Sequence, residues 1–402
     1  MKIDGEDQDV ALKILHTADW HLGQSFPGFE AEDQPKLTQA RIEAVDKLLG
    51  LAESHAVDAV LCAGDLFDEP APQEQWWREL LKLFGRRKWT QRPVFLLPGN
   101  HDPLRPNSVW AADHPFRRSL PAWVHVVDRD DFEFAISQDA VLYAVPCRSR
   151  AGADDPTSRI PQRTPGDSRI RIGLAHGTTF DAKGHQMNFP VARNAAEQRG
   201  LDYLALGDTH GFREYPPKIA PTVYPGTPEP TTFDEMDAGS AAIIFFPRHR
   251  RMPLIHKERV ARWKWMDKRC SSMEELEDLR GQDLKDCVLR LTLAMEVSVS
   301  ERARVDEILE ELKGNEARVG RAGVLCENLD ELQVSVRDAG DFHRDLPDVL
   351  NAAIANLRSR GEQAGEDGET AREALVLLYK TLAEERSQTA GAPHARSGGA
   401  GQ

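Results

Sequence analysis

The stretch Ile14-Leu15-His16-Thr17-Ala18-Asp19-Trp20-His21-Leu22-Gly23 places a polar cluster directly after a short apolar run. Short apolar runs bounded by turn residues are typical of buried strands. Asp19 and His21 are two residues apart, so on an extended turn both side chains can reach one point. The stretch therefore predicts a strand with a carboxylate and an imidazole close together at its carboxyl end.

The same arrangement returns four more times in the first half of the chain. Apolar runs precede each of the later clusters, which are Gly64-Asp65-Leu66-Phe67-Asp68, Gly99-Asn100-His101-Asp102, Ala175-His176-Gly177 and Gly207-Asp208-Thr209-His210. Taken singly, such a cluster is also typical of a plain turn. The ordered set is not expected by chance, and it predicts polar side chains that converge at the ends of several strands.

Between and after the clusters, the spacing of the apolar residues alternates between that of strands and that of helices. Helical spacing predicts one helix from about Leu37 to Ser54 and a second from about Gln73 to Phe84. Further along, Cys287–Val299 alternates as a strand does, and Ser300 starts another helix. The whole pattern favours an α/β fold.

Converging carboxylate, imidazole and amide groups suit the hydrolysis of a phosphoester. Two divalent cations about 3.5–4 Å apart neutralise the phosphate and activate a water. Holding two ions takes one carboxylate that bridges them, with further ligands on each side, and we expect Asp65 to be that bridge. The ligands predicted from the clusters are Asp19, His21, Asp65, Asn100, His176, Asp208 and His210.

One residue of the third cluster has a different expected role. His101 directly follows a ligand, which would place it over the phosphate as a donor. Mixed imidazole and carboxylate ligation favours manganese, iron or zinc over magnesium or calcium.

The five clusters resemble the motifs of the calcineurin-like metallophosphoesterases, which are D-x-H, G-D-x-x-D, G-N-H-D, a lone His after a strand, and G-H-x-H. Within that superfamily, residues 14–23 and 64–68 are most similar to the SbcD-type DNA repair nucleases. The resemblance implies an α/β fold in which two sheets form a β-sandwich flanked by helices. It also implies a small α/β capping domain and a C-terminal helical pair.

The resemblance further implies a role for each site residue. One ion would be held by Asp19, His21, Asp65 and His210, and the other by Asp65, Asn100, His176 and Asp208. His101 would protonate or orient the leaving group, and Asp102 would support it.

Asp208 departs from the family pattern, because it stands where the first His of G-H-x-H belongs. A carboxylate there favours a harder ion. We therefore expect two divalent metal ions, with manganese as the metal.

The resemblance gives the following division of the chain: a flexible N-terminus at 1–10, a nuclease domain at 11–265, a capping domain at 270–338, a helical partner-binding segment at 341–385 and a disordered tail at 386–402. The tail is predicted to be disordered because it has no large apolar residue.

Two amphipathic stripes within 341–385 need an apolar surface to cover them. In the SbcD-type family the equivalent region binds the coiled-coil root of an SMC-like ATPase, so the resemblance predicts an SbcC-like partner. Packing against the same chain is the alternative. A homodimer is also implied, with Ser108–Leu120 as the candidate contact.

Charge and cysteine content limit the environment and the substrate. The formal net charge is −14, which opposes an unaided grip on a long nucleic acid. Either a partner holds the DNA, or the substrate is not a nucleic acid. The five cysteines are scattered, the N-terminus is polar, and no apolar run is as long as a membrane span, so a cytoplasmic location is expected.

The sequence thus predicts a metal-dependent DNA exonuclease and endonuclease subunit of an SbcCD-like complex, in DNA repair or in defence against foreign DNA. One alternative is a phosphodiesterase or phosphatase that acts on nucleotides or phosphoproteins, and the acidic balance favours it. A second alternative is a non-catalytic scaffold for an SMC-like ATPase. The presence of His101 disfavours the scaffold, because binding metal does not require it.

Overall fold

The apolar runs that precede the five clusters are strands, as predicted from the sequence. The runs before the five clusters are β1, β2, β3, β7 and β8 in the following list. The strands of this part of the chain are β1 (Val10–Thr17), β2 (Ala59–Cys62), β3 (Val94–Leu96), β4 (Val124–Val126), β5 (Phe132–Ser137), β6 (Ala140–Ala144), β7 (Ile170–His176), β8 (Tyr203–Gly207), β9 (Arg213–Tyr215), β10 (Thr222–Tyr224), β11 (Ser240–Pro247) and β12 (Leu254–Arg259).

The computed structural model divides the chain into two compact units, residues 1–264 and residues 265–402. It describes residues 10–87, 92–179, 188–215, 221–248, 252–315, 318–319, 321–336, 342 and 346–390.

The strands of the first unit form two six-stranded sheets. The order is β12-β11-β1-β2-β3-β4 in one sheet and β5-β6-β7-β8-β10-β9 in the other. β1 to β4 are parallel to one another, and so are β6, β7 and β8. Parallel strands end at a common edge, so the clusters of each sheet are brought together by the topology.

Apolar side chains cover both faces of each sheet. One cluster, which includes Ile14, Leu61 and Leu142, lies between the sheets. A second packs the other face of the β1 sheet against helices, and a third covers the outer face of the β7 sheet. The helices of this unit are α1 (Gln34–Ser54), α2 (Glu74–Gly85), α3 (Pro115–Ser119) and α4 (Ala195–Arg199). The predicted sandwich of two sheets flanked by helices is confirmed.

The second unit is a small α/β structure followed by a helical pair. Its elements are β13 (Lys264–Cys270), α5 (Met273–Arg280), β14 (Cys287–Leu293), β15 (Glu296–Val297), α6 (Val299–Lys313), β16 (Gly314–Asn315), β17 (Arg318–Val319), β18 (Val324–Asn328), β19 (Gln333–Val334), α7 (Asp348–Gly361) and α8 (Glu366–Ala390). β13, β14 and β18 form one sheet, and its apolar residues pack with those of α5 and α6.

The strand predicted over Cys287–Val299 is shorter than expected. β14 ends at Leu293, and α6 begins at Val299, one residue before the predicted start at Ser300. The reason is a capping box, in which Ser298 Oγ accepts from the Glu301 amide at 3.2 Å and Glu301 Oε2 accepts from the Ser298 amide at 2.8 Å. Ser298 therefore starts the helix.

The boundaries of the predicted terminal segments also differ from the structure. α8 continues to Ala390, so it extends five residues into the tail for which the sequence predicts disorder. Residues 386–390 are Arg-Ser-Gln-Thr-Ala, in which Arg, Gln and Ala are good helix formers, so a helix can continue here without large apolar residues. Val10 already belongs to β1, whereas 1–9 and 391–402 lie outside the described residues.

Apolar residues of α7 and α8 are covered in part by the unit that contains them. Ile354, Leu375 and Val376 are buried together with Val299 at the start of α6. Val349 and Leu377 remain 76% and 67% exposed. Among the described residues, none of the helices combines the length and apolar content needed to cross a membrane.

Candidate metal centre

The side chains at the strand ends converge around the carboxylate of Asp65. Asp65 Oδ2 lies 3.8 Å from His21 Nε2 and 3.4 Å from His176 Nε2. Asp65 is 2% exposed, and it follows β2 in the middle of its sheet. One carboxylate oxygen therefore lies between imidazoles supplied by the two different sheets.

A first group of potential ligands lies on one side of Asp65, and we call it the first half-site: Asp19, His21 and His210. The nearest ligand atoms of these three residues lie within 4.8 Å of one another. His21 Nε2 and His210 Nε2 are 3.2 Å apart, so both imidazoles point at the same small volume.

A second group lies on the other side, and we call it the second half-site: Asn100, His176 and Asp208. His176 Nε2 lies 2.7 Å from Asn100 Oδ1 and 3.7 Å from Asp208 Oδ1. Together with Asp65, the two half-sites contain each of the seven ligands predicted from the sequence.

Asp19 contacts residues of both half-sites, although the family pattern gives it to one ion. Its Oδ1 lies 4.0 Å from His176 Nδ1, and it accepts a hydrogen bond from the Asp208 amide at 3.0 Å. Asp19, Asp65 and His176 also form a group whose ligand atoms lie within 4.8 Å. Asp19 therefore fixes the position of the Asp208 backbone as well as offering a ligand oxygen.

The backbone is strained at four of the ligands. The φ angles are +55° at Asp19, +43° at His21, +54° at Asp65 and +96° at Asp208. Residues other than glycine rarely adopt positive φ, and such strain persists only where the surrounding structure imposes it. Its concentration here indicates that the chain is held in this form to aim these side chains.

The glycine that begins the third cluster is needed for the approach of the Asp65 carboxylate. A Cβ at Gly99 would lie 2.1 Å from Asp65 Oδ1, which is closer than any real contact. The Gly-Asn-His-Asp motif therefore begins with glycine because the Asp65 side chain passes against its backbone.

Arg41 connects two of the ligand loops from beneath. Its buried guanidinium donates to the carbonyl oxygens of Trp20 at 2.9 Å and of His21 at 3.3 Å, and to the Glu229 carbonyl oxygen at 2.9 Å. Burial lowers the pKa of Arg41 to about 10, so it remains charged at neutral pH. This one side chain ties the loop after β1 to the loop after β10.

The imidazoles of the first half-site are backed by carboxylates. His21 Nδ1 lies 3.1 Å from Asp68 Oδ1. His210 Nδ1 is hydrogen-bonded to Glu235 Oε1, and Glu235 Oε2 accepts from the Thr231 amide at 2.8 Å. A carboxylate on Nδ1 fixes the ring and leaves Nε2 for an ion.

The second half-site is backed by neutral groups. His176 Nδ1 lies 2.7 Å from the Ala63 carbonyl oxygen, and the Thr178 hydroxyl donates to Asp208 Oδ2. His176 is fully buried, whereas the Asp208 side chain is 18% exposed. Here too the ring is oriented so that Nε2 faces the other ligands.

His101 and Asp102 lie in different environments. The His101 side chain is 45% exposed, and its Nδ1 is 3.3 Å from the Asp68 carbonyl oxygen and 3.6 Å from Asp68 Oδ1. Its amide donates to Asp65 Oδ1 at 2.9 Å. The ring is therefore placed beside the bridging ligand and open to a substrate.

Asp102 supports the site through the backbone rather than as a group that touches the reaction. Its buried carboxylate accepts from the amides of Gly99 at 2.8 Å and of Leu66 and Phe67 at 3.1 Å. The carboxylate beside the His101 ring belongs to Asp68. Asp102 thus fixes the two loops that carry the second and third clusters.

The electrostatics of the cluster suit bound cations. Burial raises the pKa of Asp19 to about 6. Burial opposes the charged form of His210, but the hydrogen bond to Glu235 and the nearby carboxylates raise the pKa of His210 to about 9. Burial lowers the pKa of His21 to about 4. Burial disfavours the charged form of the Asp19 carboxylate, and the His21 and His210 imidazoles face one another. A bound divalent cation would stabilise both arrangements, because it pairs with the carboxylate and accepts the imidazole lone pairs.

Three contributors were not identified from the sequence: Arg41, Thr178 and Glu235. Arg41 could have been found from the sequence, because it falls on the buried stripe of α1 between Leu37 and Val45, and an arginine is rarely buried there unless it has partners. Glu235 and Thr178 follow no spacing rule. Only the folded loops bring them to the ligands.

The family model for the calcineurin-like phosphoesterases matches residues 12–212. The chain belongs to the calcineurin-like phosphoesterase family. Members of this family use divalent metals, and the donor set described above fits such ions. The match begins in β1 and covers all five clusters of this phosphoesterase.

Individual relatives match smaller shares of the chain. The uncharacterized metallophosphoesterase YhaO of Bacillus subtilis is 28% identical over 222 residues, which is 54% of this chain and 52% of that protein. The SbcD component of the nuclease SbcCD of Escherichia coli K12 is 42% identical over 94 residues, 23% of this chain and 21% of that protein. The chain thus spans about half of one relative and about a fifth of the other.

Among solved structures, a dimetal phosphatase from Danio rerio matches with 11% sequence identity and a TM-score of 0.38. It covers 63% of this chain and 99% of that chain.

Proposed function

We propose that this phosphoesterase is the nuclease subunit of an SbcCD-like complex, and that it hydrolyses DNA phosphodiester bonds with two manganese ions in the cytoplasm. The observation that carries the proposal is the position of Asp65 between two half-sites, with His101 open to solvent beside it. A structural metal site would need the ligands but not the exposed imidazole.

Two bound divalent ions would neutralise the phosphate and activate a water. The other tasks fall to the chain. Asp19, Asp65, His21 and His210 would hold one ion, and Asp65, Asn100, His176 and Asp208 the other. Asp68 holds the His101 ring by its Nδ1, which leaves Nε2 to orient or protonate the leaving oxygen.

DNA is the proposed substrate because the chain is similar to the SbcD components of SbcCD nucleases over the matched 94 residues. The acidic balance of the chain makes a partner part of the proposal. We infer that an SbcC-like ATPase with coiled coils binds 341–385 and holds the DNA. Val349 and Leu377 are large, exposed apolar residues of α7 and α8, and they offer that contact.

A homodimer through Ser108–Leu120 is also proposed, on the resemblance alone. The large apolar residues Val109, Trp110 and Phe116 of this segment are buried in the core of the same chain. A contact would therefore use the polar residues of the segment and the partly exposed Leu120.

The test is manganese-dependent degradation of linear duplex DNA, with and without the ATPase. His101→Ala is expected to lower kcat by about 10²- to 10⁴-fold, since a positioned acid contributes that much. Its metal content should equal that of the wild type, because His101 is in neither half-site. Cleavage of small phosphodiesters but of no DNA, even with the ATPase present, would defeat the nuclease proposal.

A second candidate is a phosphodiesterase or phosphatase that acts on nucleotides or phosphoproteins. Two arginines of the first unit are paired within the chain, since Arg87 pairs with Asp46 and Glu53, and Arg117 pairs with Asp128. Added to a formal net charge of −14, this favours a small or non-nucleic substrate. Cleavage of phosphoserine peptides in place of DNA would select this candidate.

A further inference from the structure

An aromatic pair joins the loop that follows His21 to the turn that contacts His210. The ring centroids of Phe29 and Phe233 are 6.4 Å apart and their planes differ by 17°. This is an offset stack, a favourable arrangement for aromatic rings. Both residues are partly exposed, and the neighbouring Met236 is 75% exposed.

The turn that carries Phe233 is fixed to a ligand. Thr231 and Glu235 lie on either side of it in sequence, and both contact His210 Nδ1, Glu235 by its Oε1 and Thr231 by its hydroxyl at 3.4 Å. The Thr231 amide closes the turn on Glu235 Oε2 at 2.8 Å. Phe233 is therefore at the apex of the turn that orients His210.

Phe29 comes from the loop that follows the other imidazole of the same half-site. This loop leaves His21 through a hydrogen bond from the Gln24 amide to the His21 carbonyl oxygen at 3.1 Å. The Phe29 carbonyl oxygen accepts from Gln34 Nε2 at 2.9 Å, and its ring meets the buried Phe26 edge-on. The pair thus joins the loops of two ligands whose Nε2 atoms are 3.2 Å apart.

We propose that Phe29 and Phe233 form a stacking platform for the nucleobase next to the phosphate at the metal centre. This rests on the proposed function and adds a substrate class to it. Every nucleobase has a π face that stacks on an aromatic side chain, whatever its sequence. A chain with a formal net charge of −14 gains little from phosphate attraction, whereas stacking does not depend on charge.

The platform makes the metal centre favour nucleic acids over other phosphoesters. A phosphoserine peptide or a simple alkyl phosphodiester has no base to stack. The phosphate of such a substrate would meet the same ligands without the added contact. The expected signature is a preference for substrates with bases that depends on Phe29 and Phe233 and leaves the intrinsic hydrolysis unchanged.

The experiment compares two single-stranded oligomers of equal length, a thymidine oligomer and one of tetrahydrofuran abasic residues, with the full chain and manganese. The wild type should prefer the thymidine oligomer by about 5- to 150-fold in kcat/KM, the range that base–aromatic stacking gives. Phe233→Ala and Phe29→Ala should each lose most of that preference and keep the wild-type rate on the abasic oligomer.

Two further variants keep the test decisive. Phe233→Leu keeps an apolar side chain without a ring, so it should fold and still lose the preference. Phe245→Leu is the matched control, because Phe245 is a partly exposed aromatic on β11 that pairs with Lys13 in the first half of β1, away from the end of β1 that leads to the ligands. It should behave as the wild type does.

Equal wild-type rates on the two oligomers, or a preference that survives in Phe233→Leu and Phe29→Ala, would overturn the platform while the nuclease proposal stands. If neither oligomer is cut, even with the ATPase present, under conditions in which small phosphodiesters are hydrolysed, both proposals fall.

Discussion

The two half-sites share Asp65 but are supported by different chemistry. In the first, carboxylates back both imidazoles, with Asp68 on His21 and Glu235 on His210. In the second, a backbone carbonyl oxygen backs His176 and a hydroxyl backs Asp208. A carboxylate behind an imidazole makes it a stronger ligand than a neutral acceptor does. We therefore expect the first half-site to bind its ion more tightly.

The largest effect is expected from the ligand that the half-sites share. Asp65→Asn keeps the size of the side chain but removes the charge that lies between His21 and His176. Loss of a single electrostatic contact costs about 10²- to 10³-fold in kcat, so loss of the shared carboxylate should cost at least about 10³-fold. Phosphodiester hydrolysis and metal content at saturating manganese measure it.

Asp68→Asn is the matched control, since it removes a carboxylate of the same motif that lies beside the His21 and His101 rings but not between the two half-sites. It should reduce activity far less than Asp65→Asn. Equal losses in the two variants would mean that Asp65 is not shared.

A smaller effect is expected at the groups that support the ligands. Glu235→Ala should weaken manganese binding at the first half-site by about 10- to 100-fold, and Glu235→Gln by less, because the amide oxygen can still accept from His210. Thr178→Val, the corresponding change at the second half-site, should weaken binding less than Glu235→Ala. Calorimetric titration of the metal-free protein resolves the two sites.

The expected difference in metal affinity between the half-sites would be contradicted if Thr178→Val weakened manganese binding as much as Glu235→Ala does. Hydrogen bonding alone, and not the charge of the supporting group, would then set the affinity.

Asp208 offers a change in metal preference. Asp208→His restores the histidine of the family pattern, and its positive φ of +96° is one that His and Asp tolerate better than most residues. An imidazole in place of a carboxylate softens the second half-site, so the ratio of zinc to manganese affinity should rise by about tenfold. Competition between the two metals measures it. An unchanged ratio would show that Asp208 is not a ligand.

The final effect is on stability, and it separates burial from the influence of carboxylates. His16 is fully buried on β1, its Nδ1 lies 2.9 Å from the Tyr203 hydroxyl, and burial lowers its pKa to about 3. Below pH 6.5 the unfolded chain binds a proton that the folded chain does not. The free energy of unfolding should therefore fall by about 1.4 kcal/mol per pH unit between pH 6.5 and about 3 through this residue.

His16→Gln removes the group that takes up a proton on unfolding, and it leaves a side-chain amide that can hydrogen-bond to the Tyr203 hydroxyl. Urea unfolding of the metal-free protein at pH 7.5 and pH 5 should show a smaller loss of stability in the variant than in the wild type. The same loss in both would mean that His16 is not held neutral by burial.

The clusters could be predicted from the sequence because each ligand follows its own strand, and parallel strands bring their ends together. Glu235 could not, since it reaches His210 through a turn whose path depends on the folded loop. Arg41 was visible as a cation on an apolar stripe, but its carbonyl partners come from loops distant in sequence. The end of α8 at Ala390 could not be predicted from apolar spacing, because a helix can continue without apolar residues once it is anchored by Leu375 and Val376.

The central claim is that one carboxylate serves two ions. Anomalous diffraction at the manganese edge, from crystals grown with manganese, tests it directly. We predict two peaks on either side of the Asp65 carboxylate, one beside Asp19, His21 and His210 and the other beside Asn100, His176 and Asp208. A single peak, or two peaks of which only one contacts Asp65, would contradict the account.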